Sequence, residues 1–247
     1  DLHSFPTRRS SDLEPDGAGY GAGYYEDPSG YFYFRDIDGN GIKDLVVPTS
    51  EDASFGAAFD PTLLVYQWDA FDPASPNYKR ARPWMVAKNG PVAFFESPVN
   101  FNNSIFIEGG GEKGTFKMGY TRNDDKGVIP NSKITKDLIT LASTYNVTDR
   151  LTASFAINYN KINGKGRYGT GYSQADNQVT NFRTCWQTNV DLLELKEAYF
   201  RNRKNITWNW ADPSDLRAIY VNNPYFSVYE NYETDTRNRY FGNASPV

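Results

Sequence analysis

Two stretches decide the fold: Phe101–Thr121, FNNSIFIEGGGEKGTFKMGYT, and Ile139–Asn160, ITLASTYNVTDRLTASFAINYN. In the first, Phe101, Asn103, Ile105 and Ile107 alternate with Asn102, Ser104, Phe106 and Glu108. After the turn Gly109-Gly110-Gly111-Glu112-Lys113, Gly114, Phe116, Met118 and Tyr120 alternate with Thr115, Lys117, Gly119 and Thr121. The second stretch opposes Ile139, Leu141, Tyr145 and Val147 to Thr140, Ala142, Thr144 and Asn146. It turns at Thr148-Asp149-Arg150, then alternates Leu151, Ala153, Phe155, Ile157 and Tyr159 with Thr152, Ser154, Ala156, Asn158 and Asn160. Successive side chains of a strand point to opposite faces, so a period of two gives strands with one mostly apolar face and one largely polar face.

Strands of about ten residues with near-strict alternation are what a tilted membrane-spanning strand requires; strands of soluble sandwiches usually run to about five or six. The connections alternate as well: short at Gly109–Lys113, longer at Arg122–Lys136, short at Thr148–Arg150, very long after Lys161. Short turns on one side and long loops on the other are the habit of outer-membrane barrels. The expected fold class is therefore all-β: part of a transmembrane antiparallel β-barrel with long extracellular loops.

Working outward, residues 14–99 are rich in Gly, Pro, Asp and Tyr and read as a first extracellular loop region; 100–160 carry two hairpins of barrel strands. Residues 161–236 read as a second long extracellular loop with a short helix around Asp191–Phe200, and 237–247 as the start of the next barrel strand. Residues 1–13, DLHSFPTRRSSDL, resemble a translated sequencing adapter more than a protein segment and are set aside, together with His3, the single histidine.

Composition fits this picture. The 247 residues are 39% hydrophobic and 16% aromatic, yet mean hydropathy is -0.66. Many rings in a polar chain suit aromatic girdles combined with polar loops and a wet interior. A net charge of -4, without basic runs interleaved with aromatics, argues against a nucleic-acid partner. The single cysteine, Cys185, excludes an internal disulfide and multi-cysteine zinc sites. No apolar run reaches the roughly 18 residues of a spanning helix, so a membrane reading requires a barrel.

The ordered short motifs resemble the SusC/RagA family of TonB-linked outer-membrane proteins. They are Ser50-Glu51-Asp52-Ala53-Ser54-Phe55-Gly56, with Phe55 where the family usually has Trp; Phe94-Phe95-Glu96 followed by Phe101-Asn102-Asn103-Ser104-Ile105 and Gly109-Gly110; and Tyr120-Thr121 with Lys126-Gly127-Val128-Ile129-Pro130-Asn131-Ser132. Asn223-Pro224-Tyr225-Phe226, Tyr229-Glu230-Asn231, Arg237-Asn238-Arg239 and Gly242-Asn243 complete the set. The resemblance covers most of the chain from about Ser50 onward. It implies an outer-membrane location in a Gram-negative bacterium, a large barrel around a plug, import of glycan oligomers or peptides driven by the TonB complex, and a SusD-like surface lipoprotein as partner. Plug and TonB-contact segments are not recognised among these residues, so the expectation is a fragment of such a transporter.

In that setting Asn102, Ser104, Thr115, Lys117, Thr140, Thr144, Thr152, Ser154 and Asn158 are expected to face the lumen. Asp36, Asp38, Asn40 and Asp44 have the D-x-D-x-N-G-x-x-D spacing that folds oxygen ligands around a hard cation, with glycine allowing the sharp turn. Calcium is the expected ion, and an ordinary Asx-rich surface turn is the alternative. The twelfth position is Val47 rather than Glu, which departs from an EF-hand. Five tryptophans fall in the loop regions. Packing within folded loops accounts for them, with Trp208 and Trp210 the candidates for substrate contact. No pair of carboxylates is singled out for glycosidase chemistry and no triad can be assembled, so no catalytic role is expected. The reading from another class is a secreted calcium- and carbohydrate-binding β module.

Overall fold

The computed structural model describes residues 32–49, 57–167, 169, 177–184 and 186–246. The adapter-like stretch with His3, the Ser50–Gly56 motif and Cys185 lie outside the described residues. The chain is mostly β-sheet, and none of its described helices is long and apolar enough to cross a membrane. It divides into two compact units: residues 1–94 with 168–231, and residues 95–167 with 232–247.

The first unit draws on both stretches read as separate loops. Strands β1 (Tyr33–Arg35), β2 (Asp44–Val46), β3 (Asp60–Tyr66) and β4 (Ala81–Trp84) form one sheet in that order. The β1–β2 and β3–β4 pairs are antiparallel, and β2–β3 is parallel. Register partners Tyr33, Val46 and Tyr66 share one face and pack with Ala70 and Trp210, while Phe32, Val47, Val65 and Trp84 fill the other. Because both faces are buried, short apolar runs replace the clean alternation of a one-sided sheet. This is why the sequence reads as loop here.

Among the described residues three α-helices follow: α1 (Gln178–Thr184), α2 (Leu192–Asn202) and α3 (Pro224–Glu230). The α2 helix starts where expected because Asp191 caps it, accepting from the Leu193 and Glu194 N–H groups at 2.8 and 3.4 Å. Its buried residues Leu192, Leu195, Ala198 and Tyr199 recur at helical spacing. Asn223 caps α3 ahead of Pro224, and its Nδ2 donates to the Leu195 and Ile206 carbonyls, both at 2.8 Å. The Asn223-Pro224-Tyr225-Phe226 motif is thus a helix start. A small hairpin, β9 (Trp210–Asp212) with β10 (Asp215–Ala218), completes the unit.

The second unit is a single antiparallel sheet of five long strands: β5 (Val99–Gly111), β6 (Gly114–Lys126), β7 (Lys133–Thr148), β8 (Leu151–Lys165) and β11 (Thr234–Pro246). They are ordered β11-β8-β7-β6-β5. The strands run 13, 13, 16, 15 and 13 residues, longer than the ten expected. Two-residue turns, Glu112-Lys113 and Asp149-Arg150, close the hairpins at one end. The six-residue Gly127–Ser132 loop and the long excursion between β8 and β11 leave from the other. The strand expected from residue 237 begins at Thr234 and pairs with β8 along its whole length.

Candidate functional site

Register decides which side chains share a face, because directly opposed residues of an antiparallel pair point the same way. One face carries the rows Ile105–Tyr120–Ile139–Tyr159–Tyr240, Ile107–Met118–Leu141–Ile157–Gly242 and Gly109–Phe116–Ser143–Phe155–Ala244. Gly111–Gly114–Tyr145–Ala153–Pro246 comes next, with Val147 and Leu151 beyond. These five rows span about 27 Å along the strands. Ile105, Phe116, Ile139, Tyr145, Phe155 and Ile157 are all exposed, and every residue of β11 is exposed.

Tyrosines mark one border of this belt. Tyr159 and Tyr240 stack with centroids 4.7 Å apart. The Tyr120 hydroxyl donates to Asp137 at 2.7 Å and that of Tyr159 to Asn238 at 2.8 Å, each reaching away from the belt into the next, polar row. An apolar ring with a polar tip is suited to such a boundary. In that next row Arg122 donates to Asp137 at 2.9 Å and to Asp124 at 2.8 Å. The strand residues in excess of ten lie on this side of the belt, where the face turns from apolar to charged.

The opposite face gathers all nine residues expected on the polar side. Asn102, Ser104, Thr115, Lys117, Thr140, Thr144, Thr152, Ser154 and Asn158 fall on it by register. Ser104 and Thr121 share a hydrogen bond at 2.9 Å, and Thr152 donates to Asn146 at 2.9 Å. A shallow depression of about 520 Å³ is lined in part by Glu108, Thr115, Lys117 and Thr144. Apolar residues also belong to this face, Ile134, Leu138 and Ile162 among them. Phe106 lies opposite Gly119, and Phe241 lies opposite Asn158.

The acidic loop is the β1–β2 connection, so strands flank it on both sides and it is not helix–loop–helix. Asp36, Asp38 and Asp44 bring carboxylate oxygens within 4.8 Å of one another. Asp36 accepts the N–H groups of Gly39 at 2.7 Å and Gly41 at 2.8 Å, and Asp44 accepts that of Ile37 at 3.0 Å. Asn40 instead turns inward on the loop, accepting from Ile42 N–H and donating to Asp38. Gly39 and Gly41 hold φ of 82° and 83°, the left-handed conformation that excludes most other residues. The Gly41 N–H, followed by those of Gly39 and Asn40, holds the exposed Asp36 carboxyl below its ordinary value. Three converging carboxylates offer the hard oxygen donors that calcium takes.

Trp208 and Trp210 are 0% and 1% exposed. Trp208 packs edge-on to Trp186 at 4.8 Å, and Trp210 Nε1 donates to the Trp68 carbonyl at 2.9 Å. A ring without an open face cannot stack on a sugar, so these two act here as packing residues and substrate contact is corrected to core. Sequence reading missed the row Lys126–Lys133–Lys165 on the belt's face. Its signal existed in the spacing, but only pairing register brings lysines 7 and 32 positions apart side by side. Compared with known proteins, the chain matches no family model and no curated protein.

Proposed function

We propose that this chain is a wall segment and surface-loop unit of a TonB-linked outer-membrane transporter of the SusC/RagA type. It would import glycan oligomers or peptides with a SusD-like lipoprotein under the drive of the TonB complex. The observation that carries the reading is the continuous, exposed apolar face of a single-layer sheet opposite a polar face. In water a sheet buries its apolar face against a second layer. In a bilayer lipid covers that face, while the Asn, Thr and Ser face lines an aqueous lumen. The sequence motifs in their order add the family, and no catalytic step is assigned to the chain.

The acidic hairpin loop favours a second reading, a secreted calcium- and carbohydrate-binding β module, and under either reading calcium is the proposed ion at Asp36, Asp38 and Asp44. The two readings part on location. The full-length gene product containing this chain, expressed with a tag, should fractionate with the outer membrane and migrate differently on a gel when heated. A soluble monomer with unchanged migration overturns the transporter reading in favour of the module.

A further inference from the structure

We propose that the loop-side end of the sheet's apolar face is a seat for an anionic glycolipid of the outer leaflet, gripped by Lys126, Lys133 and Lys165 with Lys161 below them; this rests on the barrel reading. Lys126 is the register partner of Lys133, and Lys133 that of Lys165, so three ammonium groups are directly opposed on adjacent strands. Like charges in that position work against the sheet unless an anion lies across them. Lys126 pairs with Glu96 at 2.7 Å, Lys133 with Asp124 at 3.0 Å, and Lys165 sits 4.5 Å from the Tyr232 ring centroid.

Asp124 is also engaged by Arg122, as is Asp137, the register partner of Lys161. Arg122, Lys126, Lys133, Lys161 and Lys165 thus outnumber Asp124, Asp137 and Glu96 in this band. The Lys126 and Lys133 side chains are 53% and 54% exposed, so the excess charge is open to a ligand.

Depth selects the lipid. The lysine row lies six residues beyond the Tyr120 row, about 20 Å along the strands and ~15 Å along the membrane normal at a tilt of about 40°. A phospholipid headgroup layer is only about 5–8 Å deep, enough to reach Arg122 and Lys161 but not the row above. Anionic groups at both levels belong to a lipid with phosphates or carboxylates on a saccharide headgroup. The tyrosine border and apolar belt below would receive its acyl chains on the same face.

The test uses the full-length protein in detergent, stripped of lipid and titrated with phosphorylated lipid A, and in parallel with phosphatidylglycerol. K126Q/K133Q/K165Q should weaken lipid A binding roughly a hundredfold, about fivefold per lysine, with a much smaller effect on phosphatidylglycerol. Lys136→Gln, which removes a charge from the opposite face, should leave both unchanged. Unaltered lipid A binding in the triple variant, with membrane fractionation and heat-modifiable migration retained, overturns the seat alone. Equal losses for both lipids overturn the glycolipid assignment. Failure of the unsubstituted protein to fractionate with the outer membrane overturns the barrel reading and the seat with it.

Discussion

Trp210 Nε1 donates to the Trp68 carbonyl at 2.9 Å across 142 positions of sequence, fastening the β9–β10 hairpin to the segment that follows β3. Trp210 also packs edge-to-face on Phe71 at 5.2 Å and belongs to the cluster of Tyr33, Val46 and Tyr66. Trp210→Phe keeps most of the apolar volume but orphans a carbonyl, a loss of about 1–3 kcal/mol; Trp210→Ala adds a cavity, about 3–5 kcal/mol in all. In limited proteolysis of the full-length protein, cleavage within 57–94 and 186–231 should increase from wild type to Phe to Ala. Equal protection in all three would show that this hydrogen bond and ring do not hold the unit together.

Gly119 lies directly opposite Phe106, and a Cβ there would come within 2.7 Å of the ring. The ring rests over the glycine, an arrangement that covers backbone a glycine would otherwise expose. Gly119→Val should therefore displace Phe106 and destabilise the sheet by about 1–3 kcal/mol. The paired change Gly119→Val with Phe106→Ala should recover part of that loss. Denaturant titration of the folded protein reads both.

How far the sequence led differs between the units for a physical reason. In 100–160 one face is mostly apolar and one largely polar, so alternation shows the strands, the two tight turns and the sharing of faces. Around Phe32–Val47 both faces are buried, the period vanishes, and β1 and β2 read as part of a loop region. The helix at Leu192–Asn202 was legible through Asp191 and its apolar spacing. The seven-residue α3 is not, although Asn223-Pro224 is a cap signal, because two turns hold too little apolar period to stand out from a stretch that reads as loop. Packing of the loop tryptophans is legible in the sequence, but the partners of Trp208 and Trp210 are not, since Trp186, Trp68 and Tyr33 come from distant segments.

The barrel reading makes the two faces respond oppositely to charge. Leu141→Arg would put a cation in the middle of the apolar belt, at a cost of about 2–4 kcal/mol where lipid is the solvent. Thr140→Arg changes the neighbouring residue on the polar face and should leave folding intact. The yield of heat-modifiable protein in outer-membrane fractions should fall for Leu141→Arg and hold for Thr140→Arg. If both substitutions are tolerated alike, the apolar face does not meet lipid.

The acidic loop has a defined response to protons. Hydrogen bonds from Gly41, Gly39 and Asn40 lower the Asp36 pKa in the folded chain below its ordinary 3.8. The unfolded state therefore binds a proton first as pH falls, and the stability that Asp36 contributes is fully present above 3.8 and disappears as pH drops through the lower folded value. Amide exchange at Gly39 and Gly41 should be insensitive to the state of this carboxyl from neutrality to about pH 5 and lose protection only in stronger acid. Loss of protection near neutral pH would contradict the loop geometry.

Calcium binding at that loop depends on lone pairs that those hydrogen bonds leave free. Each Asp36 and each Asp38 oxygen accepts one N–H, and Asp44 Oδ2 accepts one, so every carboxylate oxygen retains capacity for a cation while the loop fixes its direction. A terbium titration should saturate at one ion, with calcium displacing it. Asp36→Asn and Asp38→Asn should each weaken binding by about tenfold or more, because ligand charge sets affinity in such loops. Asp60→Asn, at the half-buried start of β3 outside the triad, should not. Binding that survives both loop substitutions places the ion elsewhere; no binding in the unsubstituted protein leaves the loop as an Asx turn stabilised by its own amides.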